Sequence, residues 1–249
     1  QHRTYVDLSE LQRSLARRND QILSYFLDGS RRVFKVDDIA YVHSGGRSVI
    51  FPVLAGQIGV GCCCRVDRKI RPVKFEREFV LSMPDVADAD GKAGFWPATA
   101  KKISESKELK RLGIEFSRIL PYKTSKSDEG KLEDRATACV QDRMIECEKQ
   151  LVADLVREGK LNQNSYLVKD GSLEYRPAKE DKTDRKKYQM FKNNYNWVLG
   201  ASKNFNPEVC KDTAGKANPG FIADLPLYHR TPVAEYENEM LGDIKFAVW

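Results

Sequence analysis

Apolar residues at helical spacing predict two helices of different length. The first is an amphipathic helix over 7–23, whose arginines lie away from its apolar side. The second runs from about Leu132 to Arg157, and one stripe of its surface is apolar, which indicates packing against a sheet. The stripe contains Met144, Leu151, Val152 and Leu155. Glu148 lies on this stripe, whereas Glu146 lies about 160° away around the helix, at roughly 100° per residue.

The region between these helices changes from a β pattern to a polar one. β-Branched and aromatic residues dominate 25–83, and turn signals at 44–46 and 55–56 separate several short strands. Strands that are linked so closely most simply form an antiparallel meander. Residues 84–130 are polar and predict an insertion made of a loop and a lysine-rich helix over 98–112.

Two apolar runs after the long helix end close to a charged residue. The run 166–168 predicts a strand that ends at Asp170, and the run 196–202 predicts a strand with Lys203 just beyond its end. Basic and aromatic residues are interleaved between them, which suits single-stranded nucleic acid, although an amphipathic helix with core aromatics is the more frequent explanation of such a pattern. These residues are Lys179, Lys182, Arg185, Lys186, Lys187, Tyr188, Phe191 and Tyr195. The last strands predicted are Phe221–Ala223 and Ile244–Trp249.

The tripeptide Asp-Gly-Ser occurs twice after an apolar run, at 28–30 and at 170–172. Each copy alone predicts a tight turn. The order of a strand with Asp28, a helix with Glu148 and a strand with Asp170 is, however, that of an RNase H-like domain. In that arrangement the helix serves as a crossover, and the two strands become parallel neighbours. The predicted fold is therefore an α/β, RNase H-like mixed sheet, an antiparallel meander followed by parallel strands, flanked by helices.

The three carboxylates suggest a metal site. A buried glutamate needs a cation or a hydrogen-bonding partner, and pairing with a basic side chain is the alternative for Glu148. Carboxylate oxygens suit Mg²⁺ or Mn²⁺, which generate a nucleophilic hydroxide and neutralise the charge that builds on a phosphodiester. The sequence therefore predicts a metal-dependent nuclease with ligands Asp28, Glu148 and Asp170.

Composition narrows the class of protein only slightly. Of 249 residues 41% are hydrophobic, which is enough for a folded core, and 42 Lys and Arg against 36 Asp and Glu give a net charge of +6. Such a charge is compatible with a nucleic acid but is more often solvated surface. There is no secretory signal and no run of about eighteen apolar residues, so we expect a soluble, cytoplasmic protein. The six cysteines lack the spacing of a zinc site.

The motifs resemble those of the NurA nucleases, RNase H-like DNA nucleases that act with the hexameric ATPase HerA. The resemblance covers most of the chain and rests on four segments and the glutamate-bearing helix. The segments are Phe26–Arg31, Leu167–Leu173, Val198–Lys203 and Asp243–Trp249. It implies that Asp28, Glu148, Asp170 and Lys203 are catalytic, with Lys203 near the scissile phosphate or the DNA backbone.

The resemblance also implies a partner and an assembly. We expect a Mn²⁺- or Mg²⁺-dependent deoxyribonuclease that forms a homodimer and works with a HerA-type motor in DNA end resection or phage defence. Arg31, Lys186, Lys187 and Lys203 are the expected DNA contacts. We expect one domain over 1–249 in which the family's C-terminal segment, with its histidine, is missing; His229 is a weak substitute.

Three alternatives stay open at this point. Glu146 rather than Glu148 is the acidic position if the helix connects to the next strand differently. A non-catalytic RNase H-like module that binds nucleic acid or a motor protein would use the carboxylates structurally. A different RNase H-like enzyme, of the Argonaute or integrase type, would keep the site and change the substrate.

Overall fold

The computed structural model describes residues 5–15, 21–42, 46, 48–88, 91, 93–124, 132–173, 192–204, 212, 214–237 and 245–248. The chain forms two compact units. One comprises 27–158, and the other comprises 1–26 together with 159–249. The prediction of one domain over 1–249 stays a prediction. No helix in the described ranges combines the length and apolar character needed to cross a membrane.

A six-stranded sheet organises the fold. In chain order its strands are β2 (Leu23–Val42), β3 (Ser48–Val66), β4 (Lys69–Pro84), β5 (Phe116–Tyr122), β6 (Tyr166–Asp170) and β7 (Val198–Ala201). The spatial order is β5-β4-β3-β2-β6-β7. β3 pairs antiparallel with β4, whereas β4 pairs parallel with β5 and β6 pairs parallel with β7. The predicted α/β class with a mixed sheet is confirmed.

The strands of the meander are fewer and longer than predicted. The turn expected at 55–56 is wrong, because both residues lie inside β3. A β-carbon built on Gly56 would lie 2.8 Å from the side chain of Val140 and 2.9 Å from that of Val80. The glycine therefore serves close packing within a continuous strand. The tight turn considered for 28–30 is also wrong, because these residues lie inside β2.

The long helix, α4 (Leu132–Arg157), has the predicted bounds. Its predicted apolar stripe is buried, and its buried face continues to the N-terminal end of the helix. This face consists of Leu132, Ala136, Val140, Met144, Cys147, Glu148, Leu151, Val152, Asp154 and Leu155. Burial of so many apolar side chains over seven turns makes α4 a rigid support for any polar group on the same face.

The segment 84–124 differs most from the prediction. A short 3₁₀ helix (Asp85–Ala87) is followed by α2 (Phe95–Ser104), α3 (Lys107–Arg111) and the strand β5. The single helix expected over 98–112 is wrong, because Ser106 has an extended ψ of 126° and separates two helices. β5 was not predicted; it is anchored by Tyr122, whose hydroxyl donates a 2.8 Å hydrogen bond to the carbonyl of Pro52.

The second unit contains the remaining elements. They are β1 (Val6–Asp7), α1 (Ser9–Leu15), β6, β7, α5 (Gly220–Ala223), β8 (His229–Arg230), β9 (Ala234–Glu237) and β10 (Lys245–Val248). The helix predicted over 7–23 is too long at both ends, because Asp7 belongs to β1 and Leu23 begins β2. The N–H of Tyr166 donates to the carbonyl of Ile22 at 2.6 Å, which places β6 beside the start of β2.

Two further predictions for this unit have different outcomes. The strand expected over 221–223 is wrong, because these residues lie in α5, which follows Pro219, a residue with a helical φ of −64°. Phe221 stacks on Tyr5 at a ring distance of 4.7 Å. The strand predicted over 244–249 is confirmed as β10, which pairs antiparallel with β9.

Candidate active site

Glu148 occupies the sheet-facing side of α4, as its position on the apolar stripe predicts. The residue is 3% exposed and lies between the buried residues Met144 and Leu151. Glu146, by contrast, has a side chain that is 53% exposed, and it forms an ion pair with Lys149 at 3.6 Å. The helix therefore directs Glu148, and not Glu146, toward the sheet.

Gly29 is the point at which Glu148 reaches β2. A β-carbon built on Gly29 would lie 3.2 Å from Cδ and 3.3 Å from Cγ of Glu148, and closer still to Oε1. Real β-carbons essentially never approach another atom as closely as that oxygen. The missing side chain of Gly29 thus leaves the space that the buried carboxylate fills, directly next to Asp28 in the chain.

The alternation of side chains along β2 separates its residues into two faces. Leu27 is buried, and Arg31 donates from Nε to Oε1 of Gln141 on α4, so these residues and Gly29 face the helix. Asp28 and Ser30 are exposed and lie on the other face. The carboxylates of Asp28 and Glu148 therefore flank the Gly29 backbone from opposite sides.

The donor chemistry of these two carboxylates fits a hard divalent cation. Among the described residues, however, no group of three or more His, Cys, Asp and Glu side chains is arranged to hold a metal ion. The three-carboxylate metal site thus stays a prediction from the sequence, although the facing of Glu148 is confirmed.

Asp170 and Lys203 form a second polar group, within the other compact unit. Parallel pairing of β6 with β7 sets Asp170 opposite Ala201, and Lys203 follows two residues later. The Lys203 ammonium donates to Oδ2 of Asp170 at 2.6 Å. This hydrogen bond is the main cause that lowers the pKa of Asp170 below its ordinary value; the charges of Lys203 and Lys169 lower it further. Lys203 thus lies just beyond the strand end, as predicted.

Lys169 is a polar residue of this group that sequence reasoning missed. It is only 6% exposed, and its ammonium donates to the carbonyl of Asp170 at 2.9 Å and to that of Ser172 at 3.4 Å. Gly171, with φ +88°, turns the chain so that both carbonyls meet the ammonium. The available signal was its position two residues after Leu167, on the buried side of an alternating strand.

The other predicted site residues have simple outcomes. Arg31 contacts Gln141, and its role as a DNA contact stays a prediction. Lys186 and Lys187 lie outside the described residues. His229 belongs to β8, where it pairs with Asp7 of β1, and its Nδ1 lies 3.0 Å from the carbonyl oxygen of Leu227.

Two other carboxylates at the interface of α4 with the sheet have basic partners. Glu78 accepts two hydrogen bonds from Arg143, at 2.8 and 2.6 Å, which lower its pKa. Asp154 is contacted by Lys74, Gln150 and Arg157, and the hydrogen bond from Lys74 is the main cause of its lowered pKa. The Glu78–Arg143 and Lys74–Asp154 ion pairs therefore both join α4 to β4.

Comparisons with known proteins say little about the function of this site. No model of a protein family matches the chain, and no curated protein matches it. Among solved structures, the NurA nuclease from Sulfolobus solfataricus is similar over 92% of this chain, with 9% sequence identity and a TM-score of 0.36. The chain spans 65% of the length of that nuclease. At such identity and TM-score the likeness carries no conclusion about activity.

Proposed function

We propose that the protein is a metal-dependent DNA nuclease that hydrolyses phosphodiester bonds. The observation that carries the proposal is the buried Glu148, whose carboxylate fills the space left by Gly29 next to the exposed Asp28. A carboxylate in an apolar interface is costly unless a cation or donors stabilise it. The packing of α4 on the sheet offsets this cost, and Gly29 leaves the room that the carboxylate occupies.

In this proposal, which follows the motif resemblance, Asp28 and Glu148 are ligands of Mn²⁺ or Mg²⁺. Because strand alternation places the two carboxylates on opposite faces of β2, binding of one cation requires the Asp28 side chain to turn past Gly29 toward Glu148. When bound, such a cation supplies an activated water and neutralises charge on the phosphate. Asp28 offers its carboxylate from the exposed face of β2, where a substrate has access, whereas the rigid α4 holds Glu148. The motif resemblance supports Asp170 as a further ligand and Lys203 as a phosphate contact.

The finer parts of the proposal rest on the same resemblance. They are a homodimeric assembly, a HerA-type hexameric ATPase as partner, and a role in end resection or phage defence. Co-purification of the tagged full chain with a HerA-type ATPase encoded by a neighbouring gene tests the partnership. Recovery of the nuclease without any ATPase under conditions that preserve such complexes would contradict it.

The nuclease proposal is tested by cleavage of linear single- and double-stranded DNA with Mn²⁺ or Mg²⁺. Asp28→Ala and Glu148→Gln should each lower the cleavage rate by about 100-fold or more while the fold persists. Glu146→Gln is the matched control, since it removes an exposed carboxylate two residues away on the same helix. The proposal fails if Asp28→Ala cuts at the wild-type rate, or if Glu148→Gln behaves like Glu146→Gln.

A non-catalytic RNase H-like module that binds nucleic acid or a motor protein is the second candidate. The position of Asp28 and Glu148 on opposite faces of β2 favours it, because carboxylates separated in this way suit a structural use. The two candidates differ in their response to Mn²⁺. A nuclease should show a rise in melting temperature with Mn²⁺ that Asp28→Ala and Glu148→Gln reduce. The binding module should show no such rise.

A further inference from the structure

The face of the sheet that points away from α4 carries an exposed aromatic ring beside the Asp28 segment. The register pairs Phe75 with Gly61, Arg77 with Gly59 and Phe79 with Gln57. Directly opposed residues share a face, so these six residues form one surface across β3 and β4. The intervening positions face the helix, since Glu78 contacts Arg143 of α4.

The ring of Phe75 lies over Gly59 and Gly61, the two residues of β3 that face it. β-Carbons built on Gly59 and Gly61 would lie 3.7 Å and 3.6 Å from its ring, so the ring extends along β3 over both glycines. The residue is 66% exposed. Its ring is therefore held against the backbone of the sheet and still offers most of its surface to solvent.

Polar groups surround this ring. Arg77 is exposed two residues further along β4, and the half-buried Phe79 follows after two more. On the β2 side, the hydroxyl of Ser30 lies 3.5 Å from a β-carbon built on Gly59, which places β2 directly beside the glycines. Asp28, two residues before Ser30, shares this face by strand alternation. An aromatic, a cation and a second aromatic thus follow one another next to the candidate catalytic carboxylate.

We propose that this surface, Phe75 and Arg77 on β4 over Gly59 and Gly61 on β3, binds single-stranded nucleic acid. A base stacks on the ring of Phe75, and Arg77 meets a phosphate. Aromatic side chains on an open sheet face with interleaved basic residues are the arrangement that binds unpaired bases. The glycines leave room for a base to approach the ring. The choice of DNA as ligand rests on the proposed function.

The surroundings favour a nucleic acid over a protein partner. On this face Phe75 is bordered by Gly59, Gly61, Ser30 and Arg77 toward one end of β4 and by Pro72, opposite Cys63, toward the other, so small and polar groups line most of the exposed ring. A protein interface would bury its ring among apolar groups. A base needs only one flat ring and a nearby charge.

The test measures affinity without cleavage. A fluorescein-labelled oligodeoxythymidylate of about 15 nucleotides is titrated with the full chain in EDTA, and anisotropy is recorded. Phe75→Ala and Phe75→Leu should each weaken binding by about 5- to 100-fold, whereas Phe75→Tyr should retain it. Arg77→Gln should weaken binding and reduce the salt dependence by about one phosphate contact. Leu112→Ala is the matched control, because it removes a similarly exposed apolar side chain, 60% exposed, that lies at the end of α3 and outside β3 and β4.

The outcomes separate this proposal from others. Wild-type affinity in Phe75→Ala, or no binding of the oligonucleotide by the wild type, overturns it. Retained binding in Phe75→Leu indicates apolar contact rather than stacking and also overturns it. If Phe75→Ala changes the molecular mass measured by light scattering but leaves the DNA affinity unchanged, the face is an interface between copies of the chain. The binding assay contains EDTA and therefore measures affinity without metal-dependent cleavage. Its result stays interpretable even if Asp28→Ala and Glu148→Gln keep the wild-type nuclease activity.

Discussion

Replacing Gly29 by alanine tests the feature on which the candidate site depends. The added β-carbon would overlap Oε1 of Glu148 and press on its Cδ and Cγ at 3.2 and 3.3 Å. Overpacking of a filled interior typically costs about 1–3 kcal/mol. Alanine is also preferred over glycine within a strand by roughly 0.5–1 kcal/mol, which offsets part of this cost. Gly61→Ala is the matched control in β3, since its β-carbon would meet only the ring of Phe75, at 3.6 Å.

The measurement is urea unfolding at neutral pH, with midpoints compared at unchanged slope. Gly61→Ala should be neutral or slightly stabilising, and Gly29→Ala should be less stable than Gly61→Ala by about 1–3 kcal/mol. In a Glu148→Ala background the overlap disappears, so Gly29→Ala should then behave like Gly61→Ala, a coupling of about 0.5–3 kcal/mol. Additive effects of the Gly29 and Glu148 substitutions would refute the contact. Cleavage by Gly29→Ala should also fall, because the displaced carboxylate no longer holds its position.

Two further predictions follow from the ion pairs. Glu78→Gln should cost about 1–3 kcal/mol at pH 7, because Arg143 loses two charge-assisted hydrogen bonds. Arg143 holds the pKa of Glu78 below its ordinary 4.5, so this stability is present above pH 4.5 and is lost as pH falls through the lowered folded-state pKa. Urea midpoints of wild type and variant should converge there, and Glu108→Gln, in an exposed pair, should change little at any pH. Lys203→Met should raise the pKa of Asp170 toward its ordinary 3.8, as measured by NMR titration; an unchanged pKa would show that Lys203 does not contact it in solution.

The helix α4 could be predicted from the sequence because its signal is long and periodic. Twenty-six residues at 3.6 per turn fix both its bounds and its buried face, including Glu148. The strands were harder, since an isolated glycine in an apolar run is compatible both with a turn and with close packing inside a strand. The side chains of Val140 on α4 and Val80 on β4 explain why a residue without a side chain occupies position 56 within β3. A contact between residues far apart in the chain overrode the local preference.

Two features that escaped prediction, β5 and the role of Lys169, have no distinctive pattern of residue types. β5 has buried positions at Ile119 and Tyr122, three residues apart, which is a helical spacing and not the alternation of a strand. The role of Lys169 depends on how the chain turns after β6, because its partners are backbone carbonyls and not side chains. Residue types alone give no signal for an ammonium that binds main-chain oxygen.

The two copies of Asp-Gly-Ser show how the surroundings decide the use of one local sequence. At 28–30 the tripeptide lies within β2. Gly29 leaves room for the carboxylate of Glu148, whereas Asp28 and Ser30 lie on the opposite face of the strand. At 170–172 it ends β6, where Gly171 adopts φ +88° and turns the chain around the ammonium of Lys169. Glycine supplies space in the first copy and a backbone conformation in the second. Alanine is thus expected to act through a side-chain overlap at position 29 and through backbone strain at position 171, so only the first effect should depend on Glu148.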